Sequence, residues 1–317
     1  MEVRESTTGD GLRDEMISTT WRPRHPVDVV ATLSVHRRGP YDPAFRVDAG
    51  GRVWRTCRPG GEAGTVCVEA DGRGAVTATA WGPGAAAALD AVPAWLGAQD
   101  NPEGFRPVHD PLRQALRREP GLVVGRTGLV VEALVPAILE QKVTSVEAYR
   151  GWAALLRRHG EPAPGPAPEG MRVLPSAPAW VRIPSWDWHR AGVGPQRSRT
   201  VVTALRHAAR LEEIVTMSAA DADRRLRAVP GIGPWTSAEV RQRALGDADA
   251  VSVGDAGLPH VVTYSLTGQR RGSDEQMLRL LEPYRGHRYR ACLFLMNAGV
   301  RPPRRAPRAP LRDFRAM

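Results

Sequence analysis

Two short stretches hold the residues whose types and spacing bear chemistry. The first runs Leu226-Arg-Ala-Val-Pro-Gly-Ile-Gly-Pro-Trp-Thr-Ser-Ala-Glu-Val240. It predicts a helix ending near Val229, a tight turn, and a second helix opening at Pro234, where a missing N–H costs nothing. Gly231 and Gly233 suit a turn that needs positive φ. The free N–H groups around Gly231, Ile232, Gly233 and Thr236 would lie at the positive end of the helix dipole, a phosphate site with no basic side chain. The alternative is a plain αα-corner without a ligand. The second stretch, Gly246-Asp-Ala-Asp-Ala-Val-Ser-Val-Gly-Asp-Ala-Gly-Leu-Pro-His260, brings Asp255 twenty residues past Trp235, on a loop leading into another helix. Alone, Asp255 reads as an N-cap. Behind such a hairpin it reads as a carboxylate placed for chemistry.

The rest of the chain must carry these two stretches. Its 317 residues allow two or three compact domains, and 42% apolar residues is ordinary for a globular protein. A net charge of +10 favours an anionic partner, nucleic acid ahead of a membrane surface. Lys142 is the sole lysine among 44 basic residues, so chemistry needing a side-chain amine has one candidate. Cys57, Cys67 and Cys292 are too scattered for a metal or iron–sulfur motif, and their odd number argues against a disulfide framework. With no apolar signal core and no run long enough to span a bilayer, the chain reads as cytoplasmic and associated with the nucleoid.

The texture predicts an α+β protein: a small antiparallel-sheet domain over residues 21–108, then an all-α core over 109–300 with two helical lobes. Residues 1–20 are polar and read as disordered or extended. Strands are expected at 52–56, 65–69 and 75–80, and helices at 27–33 and 85–96. In the helical part, Leu129–Glu140 is apolar despite Pro136, and Thr144-Ser-Val-Glu147 matches a capping box. Residues 161–170, rich in Pro, Ala and Gly, read as a surface linker between helices. Further helices are expected at 197–211, 218–229, 234–245, 258–266, 275–281 and 288–297. The tail 301–317 holds six arginines and four prolines and reads as an extended phosphate-binding segment.

The hairpin, the following helix, and the Gly-rich loop ending in an Asp together resemble the helix–hairpin–helix DNA glycosylase superfamily, in particular its 3-methyladenine DNA glycosylase II branch. The resemblance covers nearly the whole chain. Ala137-Ile-Leu-Glu-Gln-Lys-Val-Thr-Ser145 is similar to the family's helix end and turn beside the lesion. Ala191-Gly-Val-Gly-Pro-Gln-Arg-Ser198 is similar to the helix junction before its hairpin. The resemblance implies a monomeric enzyme that binds double-stranded DNA, flips a damaged nucleotide and excises an alkylated purine. Asp255 falls on the family's catalytic Asp. It also implies a possible Na⁺ or K⁺ at the Val229 and Ile232 carbonyls, with no cofactor required and no iron–sulfur cluster. Members that also cut the strand carry a lysine where this chain has Trp235, so a monofunctional enzyme is expected. A glycosylase for other damaged bases, or a non-catalytic binder of distorted DNA, are the competing readings.

Around Asp255 the candidates divide. Trp235 is a stacking surface for a cationic base or a core residue packing the hairpin. Glu239, where the branch tends to place an aromatic residue, either enters the pocket or bonds an arginine at the surface. Met296 lies near the position of a Trp that the branch carries late in its final helix. Trp186 and Trp188 line the pocket or pack the core. Gln141 and Lys142 fall beside the lesion, with Lys142 at the wedge that fills the gap left by the flipped base, or simply solvated. Arg197 either touches phosphate or is solvated.

Overall fold

The structure, a computed structural model, describes residues 3–7 and 16–303. A six-stranded antiparallel sheet comes first: β1 (Val3–Thr7), β2 (Met16–Trp21), β3 (Phe45–Val47), β4 (Val53–Cys57), β5 (Gly64–Ala70) and β6 (Val76–Trp81), in the order β1-β2-β6-β5-β4-β3. Two helices belong to it, α1 (Val29–Leu33) and α2 (Ala85–Trp95). The chain then becomes helical, through α3 (Asp110–Arg118), α4 (Val130–Leu139) and α5 (Ser145–His159). A two-stranded ribbon follows, β7 (Glu161–Pro162) with β8 (Arg172–Val173). Beyond it come α6 (Ala177–Arg182), α7 (Ser185–Arg190), α8 (Pro195–Leu205), α9 (Ala208–Glu212), α10 (Ala219–Arg227), α11 (Pro234–Val240), α12 (Leu258–Thr267), α13 (Asp274–Leu281) and α14 (Arg288–Asn297). The expected α+β class is the observed one.

The strand period of two separates the faces of the sheet. Val53, Val66, Val68, Val76, Ala78 and Ala80 face α1 and α2, where they join Leu33, Leu89, Val92 and Trp95 in one core. On the opposite face Trp54 and Trp81 stack with centroids 5.5 Å apart, beside Cys67 and Met171. Arg55 stands on the helix-facing side, its guanidinium 4.6 Å from the Trp95 ring centroid and 3.0 Å from Glu132 of α4. Arg55 is buried and Glu132 nearly so, so truncating one would cost about 3 kcal/mol. It ties the sheet to the helices.

The helices pack into two lobes. One, built on α4 to α11, buries Leu134, Ile138, Trp152, Leu156, Trp180, Val201, Ile214 and Leu226. The other joins α3 to α12–α14 through Leu112, Val262, Met277, Leu281, Tyr284 and Phe294. The second lobe thus draws on residues far apart in sequence, and the hairpin lies in the first.

Three expectations are corrected and one, the linker, is made more specific. Part of the N-terminal segment expected to be disordered or extended is strand, at Val3–Thr7 and Met16–Trp21, because β2 pairs with β6 through Thr- and Ile-bearing positions. The linker 161–170 does lie at the surface between α5 and α6, but it is pinned at both ends. It is the loop of the β7–β8 ribbon, and Gly165 approaches Trp81 so closely that a Cβ would overlap the indole. The helix expected over 197–211 breaks at Arg206–His207 into α8 and α9. The helix from Pro234 leaves α geometry at Val240 for a π turn, Arg241–Leu245, before Gly246 stops it at φ 66°. The capping box stands as expected: Thr144 Oγ1 accepts from Glu147 N at 3.3 Å, and Glu147 Oε2 accepts from Thr144 N at 2.8 Å. The tail beyond residue 303 lies outside the described residues.

Candidate active site

The hairpin turn is set by one glycine rather than two. Gly231 sits at φ 90°, and a Cβ there would come 2.5 Å from Thr200 Oγ1. Gly233 has φ −97° and open space around it, so the positive φ expected there is absent. Gln141, at the end of α4, clamps the turn: its Nε2 donates to the Gly231 carbonyl at 3.0 Å and to Thr236 Oγ1 at 2.9 Å. The Val229 carbonyl closes the turn by accepting from Ile232 N at 3.0 Å. Thr236 and Ile232 are buried.

Asp255 stands where the hairpin helix faces the start of α12. Its Oδ1 accepts from Gly257 N and Leu258 N, each at 2.7 Å, and its Oδ2 accepts from the Trp235 indole N–H at 2.9 Å. The two readings of this residue therefore hold together. One oxygen ties down the helix start, while the carboxylate as a whole lines an open cleft of about 1140 Å³. Trp235 also serves twice: it packs against the first lobe's core and orients Asp255.

The loop bearing Asp255 is held by the helix before it. Gln242, in the π turn and buried, donates to the Ala250 carbonyl at 2.8 Å and to Ser252 Oγ at 2.9 Å. Ser252 Oγ donates in turn to Glu239 Oε1 at 2.6 Å. Glu239 Oε2 accepts from Arg243 Nη1 at 2.7 Å. Glu239 does enter the cleft wall, and it does bond an arginine, but inside the wall rather than at the surface. Burial works against the Arg243 charge, yet Glu239, Tyr289 and Glu140 outweigh it and push the pKa up. Arg243 Nε also donates to the Val35 carbonyl at 3.0 Å, joining the hairpin helix to the turn after α1.

The facing wall comes from Ala31, Ser34 and Val35, from Glu140 at the end of α4, and from Tyr289, Leu293 and Met296 of α14. Glu140 pairs with Arg38 at 3.0 Å. Burial raises its pKa despite Arg38, and Glu239 and Asp255 add to the rise. Burial likewise pushes Tyr289 up to about 12. Arg270, Arg271 and Arg301 edge the cleft.

Trp235, Glu239, Asp255 and Met296 are thus brought together, and other expected residues are not. Trp188 is buried in the first lobe, stacked on Trp180 with centroids 5.7 Å apart. Trp186, next to the buried Asp187, is 62% exposed and stands apart from the cleft. Arg197 is buried, not solvated and not free for phosphate. It donates to the Leu139 carbonyl at 2.7 Å and the Gly192 carbonyl at 3.0 Å, tying α4 to the junction before α8. Lys142 is exposed at φ 56°, the one non-glycine residue with positive φ among those described. Glu140, Arg38, Gln242, Arg243, Ser252 and Tyr289 escaped sequence reasoning. The spacing from Glu239 to Gln242 and Arg243 on one helix held a signal for those two. Arg38 offered none.

The three cysteines are free and buried, and the described residues hold no group of three or more His, Cys, Asp or Glu fit for a metal ion. No helix among the described residues is long and apolar enough to cross a membrane.

No family profile matches the chain. Over 150 residues, 46% of this chain, it is 31% identical to a probable bifunctional transcriptional activator/DNA repair enzyme AlkA of Mycobacterium tuberculosis. The match spans 29% of that relative's length. The structure is similar to a 3-methyladenine DNA glycosylase from Archaeoglobus fulgidus, with a TM-score of 0.71 at 20% identity, over 87% of this chain and 96% of the other. It is also similar to an 8-oxoguanine glycosylase/lyase from Clostridium acetobutylicum, in complex with double-stranded DNA, with a TM-score of 0.67 at 12% identity, over 94% and 98%. With the hairpin and the loop carboxylate in place, likeness over nearly the whole chain gives this protein the fold of the helix–hairpin–helix DNA glycosylases.

Proposed function

We propose that this protein is a monofunctional DNA glycosylase that excises alkylated purines, methylated at N3 or N7 or bearing bulkier cationic groups, and leaves an abasic site. The observation that carries the reading is Asp255: a carboxylate fixed by three N–H donors at the wall of an open cleft, directly behind the hairpin. A fixed carboxylate near C1′ stabilises the positive charge that grows on the sugar as the C1′–N bond breaks, without having to reorganise. It also orients the water whose oxygen then bonds C1′. An alkylated purine already bears positive charge, so it leaves as a neutral base with no strong acid to help it.

Strand cutting would need an amine at the sugar. Trp235 occupies the place of the lyase lysine and is committed to Asp255, and Lys142 does not line the cleft. The DNA partner is double-stranded, held at the Gly231–Thr236 turn and by exposed Lys142. Alkali cations take hard oxygen ligands, so the Val229 and Ile232 carbonyls would hold Na⁺ or K⁺ between turn and phosphate; the Val229 oxygen keeps one lone pair beyond its bond to Ile232 N. The protein acts as a monomer, in the cytoplasm at the nucleoid.

The test is release of base from methylated, deaminated and oxidised duplexes, with the released base identified, for the wild type and Asp255→Asn. The expected result is methylated purine set free by the wild type and an intact abasic strand. Release by the variant at the wild-type rate removes Asp255 from the chemistry. No release from any duplex leaves a DNA-binding protein. A borohydride-trapped adduct overturns the monofunctional reading.

A further inference from the structure

Three carboxylates reach the cleft, and their partners differ. Asp255 accepts three N–H groups. Glu239 is engaged at both oxygens, by Arg243 and Ser252. Glu140 has neither arrangement. Its charge contact with Arg38 is 3.0 Å long, yet its Oε1 is buried without a hydrogen-bond partner, and so is Arg38 Nε. The pair attracts without being aligned for a hydrogen bond. A buried, ill-matched carboxylate is costly unless something completes it. Here it lines the same cleft as Trp235, Tyr289 and Asp255.

We propose that Glu140 is the specificity-determining residue of the cleft, a carboxylate that accepts a cationic purine once the nucleotide is flipped. The inference rests on the glycosylase reading and names what that site selects. Charge placement favours it. Glu239 and Arg243 offset each other, Arg38 offsets Glu140 from behind, and Asp255 is left uncompensated by any cation it bonds. Arg270, Arg271 and Arg301 stand at the cleft's edge, so the bias toward a cation is local to Asp255 and Glu140 rather than spread over the whole cleft.

The roles of the two carboxylates then separate. As the bond breaks, positive charge moves from base to sugar. Asp255 gains interaction along that path and lowers the barrier. Glu140, at the base, interacts most strongly with the cation before the bond breaks. It strengthens binding of the flipped cationic base and does not speed the chemical step. Neutral purines gain nothing from it beyond an ordinary hydrogen bond.

The experiment compares Glu140→Gln with the wild type on duplexes carrying 7-methylguanine, a cation, or hypoxanthine, which is neutral, reading KM and kcat separately. The expected result is KM for 7-methylguanine raised about tenfold, the scale of one hydrogen bond to a charged group, with kcat not lowered and hypoxanthine unaffected. Should the substitution weaken folding by leaving Arg38 unpaired, Arg38→Gln with Glu140→Gln removes both charges and must show the same KM change. Loss of kcat on hypoxanthine with 7-methylguanine spared would make Glu140 a proton donor and overturn the proposal. Equal losses on both substrates, or no change on either, would overturn it as well. A wild type that releases no base defeats the glycosylase reading itself, an outcome distinct from all of these.

Discussion

The two walls of the cleft are built in different ways. The hairpin wall comes from one stretch, Gly231 to Leu258, in which each bond spans a few turns of chain: Trp235 to Asp255, Gln242 to Ser252, Ser252 to Glu239. The facing wall brings Val35 from the sheet domain, Glu140 from the end of α4 with Arg38 paired behind it, and Tyr289 from α14. The near wall is dense with hydrogen bonds, while the far wall leaves Glu140 and Arg38 imperfectly matched. The difference teaches where each property resides. A locally built wall holds a reacting group rigidly, as a shared chemical step requires. A wall assembled from distant segments is held by fewer bonds, and under the proposed function it is the side offered to the flipped base.

The largest test of the near wall is Asp255→Asn. Asparagine keeps the cap to Gly257 and Leu258 but turns an N–H toward the Trp235 indole donor, so stability should fall by only about 1 kcal/mol while base release falls about 10²- to 10³-fold, the scale for losing one preorganised electrostatic group. Asp255→Ala should lose the cap as well, about 1 kcal/mol of stability by chemical denaturation. If Asn unfolds the protein, the carboxylate is structural and the comparison of walls loses its chemical side.

The second test is geometric. Gly231→Ala forces a Cβ to 2.5 Å from Thr200 Oγ1 at φ 90°. Strain and overlap together should cost about 2–3 kcal/mol of stability and weaken duplex binding. Adding Thr200→Ala should restore part of the loss, since it relieves the overlap and leaves the strain at φ. Gly233→Ala, in open space at negative φ, should cost under about 1 kcal/mol. Equal costs at the two glycines would mean that the turn is not fixed by Gly231.

What the sequence showed follows the same division. The PGIGP turn, Asp255 and the helix between them were legible because their geometry is set over a short span by glycine, proline and a cap. The sheet domain was legible by period and turn residues. The far wall was not, since nothing in Arg38 or Glu140 states that a residue of the sheet domain meets the end of α4. Arg197 and Trp188 were ambiguous for a different reason. A basic or aromatic residue at a helix junction reads alike whether it points at DNA or inward, and here both point inward. The π turn at Arg241–Leu245 was invisible because no residue type marks it.

Arg197 and Lys142 then split scaffold from surface. Arg197→Met removes one buried and one part-buried bond to carbonyls, at 2.7 and 3.0 Å, and should cost about 2–3 kcal/mol of stability with the salt dependence of duplex binding unchanged. Lys142→Ala should leave stability within about 0.5 kcal/mol and lower the slope of log affinity against log salt by about 1, as one lost phosphate contact does. The reverse outcome would exchange their assignments.

The smallest expected effect is at Trp186. At 62% exposure and outside the cleft, it should tolerate Trp186→Ala with a stability change within about 0.5 kcal/mol and no change in base release. Its neighbour Trp188, 2% exposed and stacked on Trp180, should cost about 3–5 kcal/mol when truncated to alanine. Measured by chemical denaturation beside single-turnover release, the pair is a control on the cleft's extent. If Trp186→Ala slows release or weakens duplex binding by tenfold, an exposed aromatic on α7 contacts the DNA, and the recognition surface extends well beyond the two walls that flank Asp255.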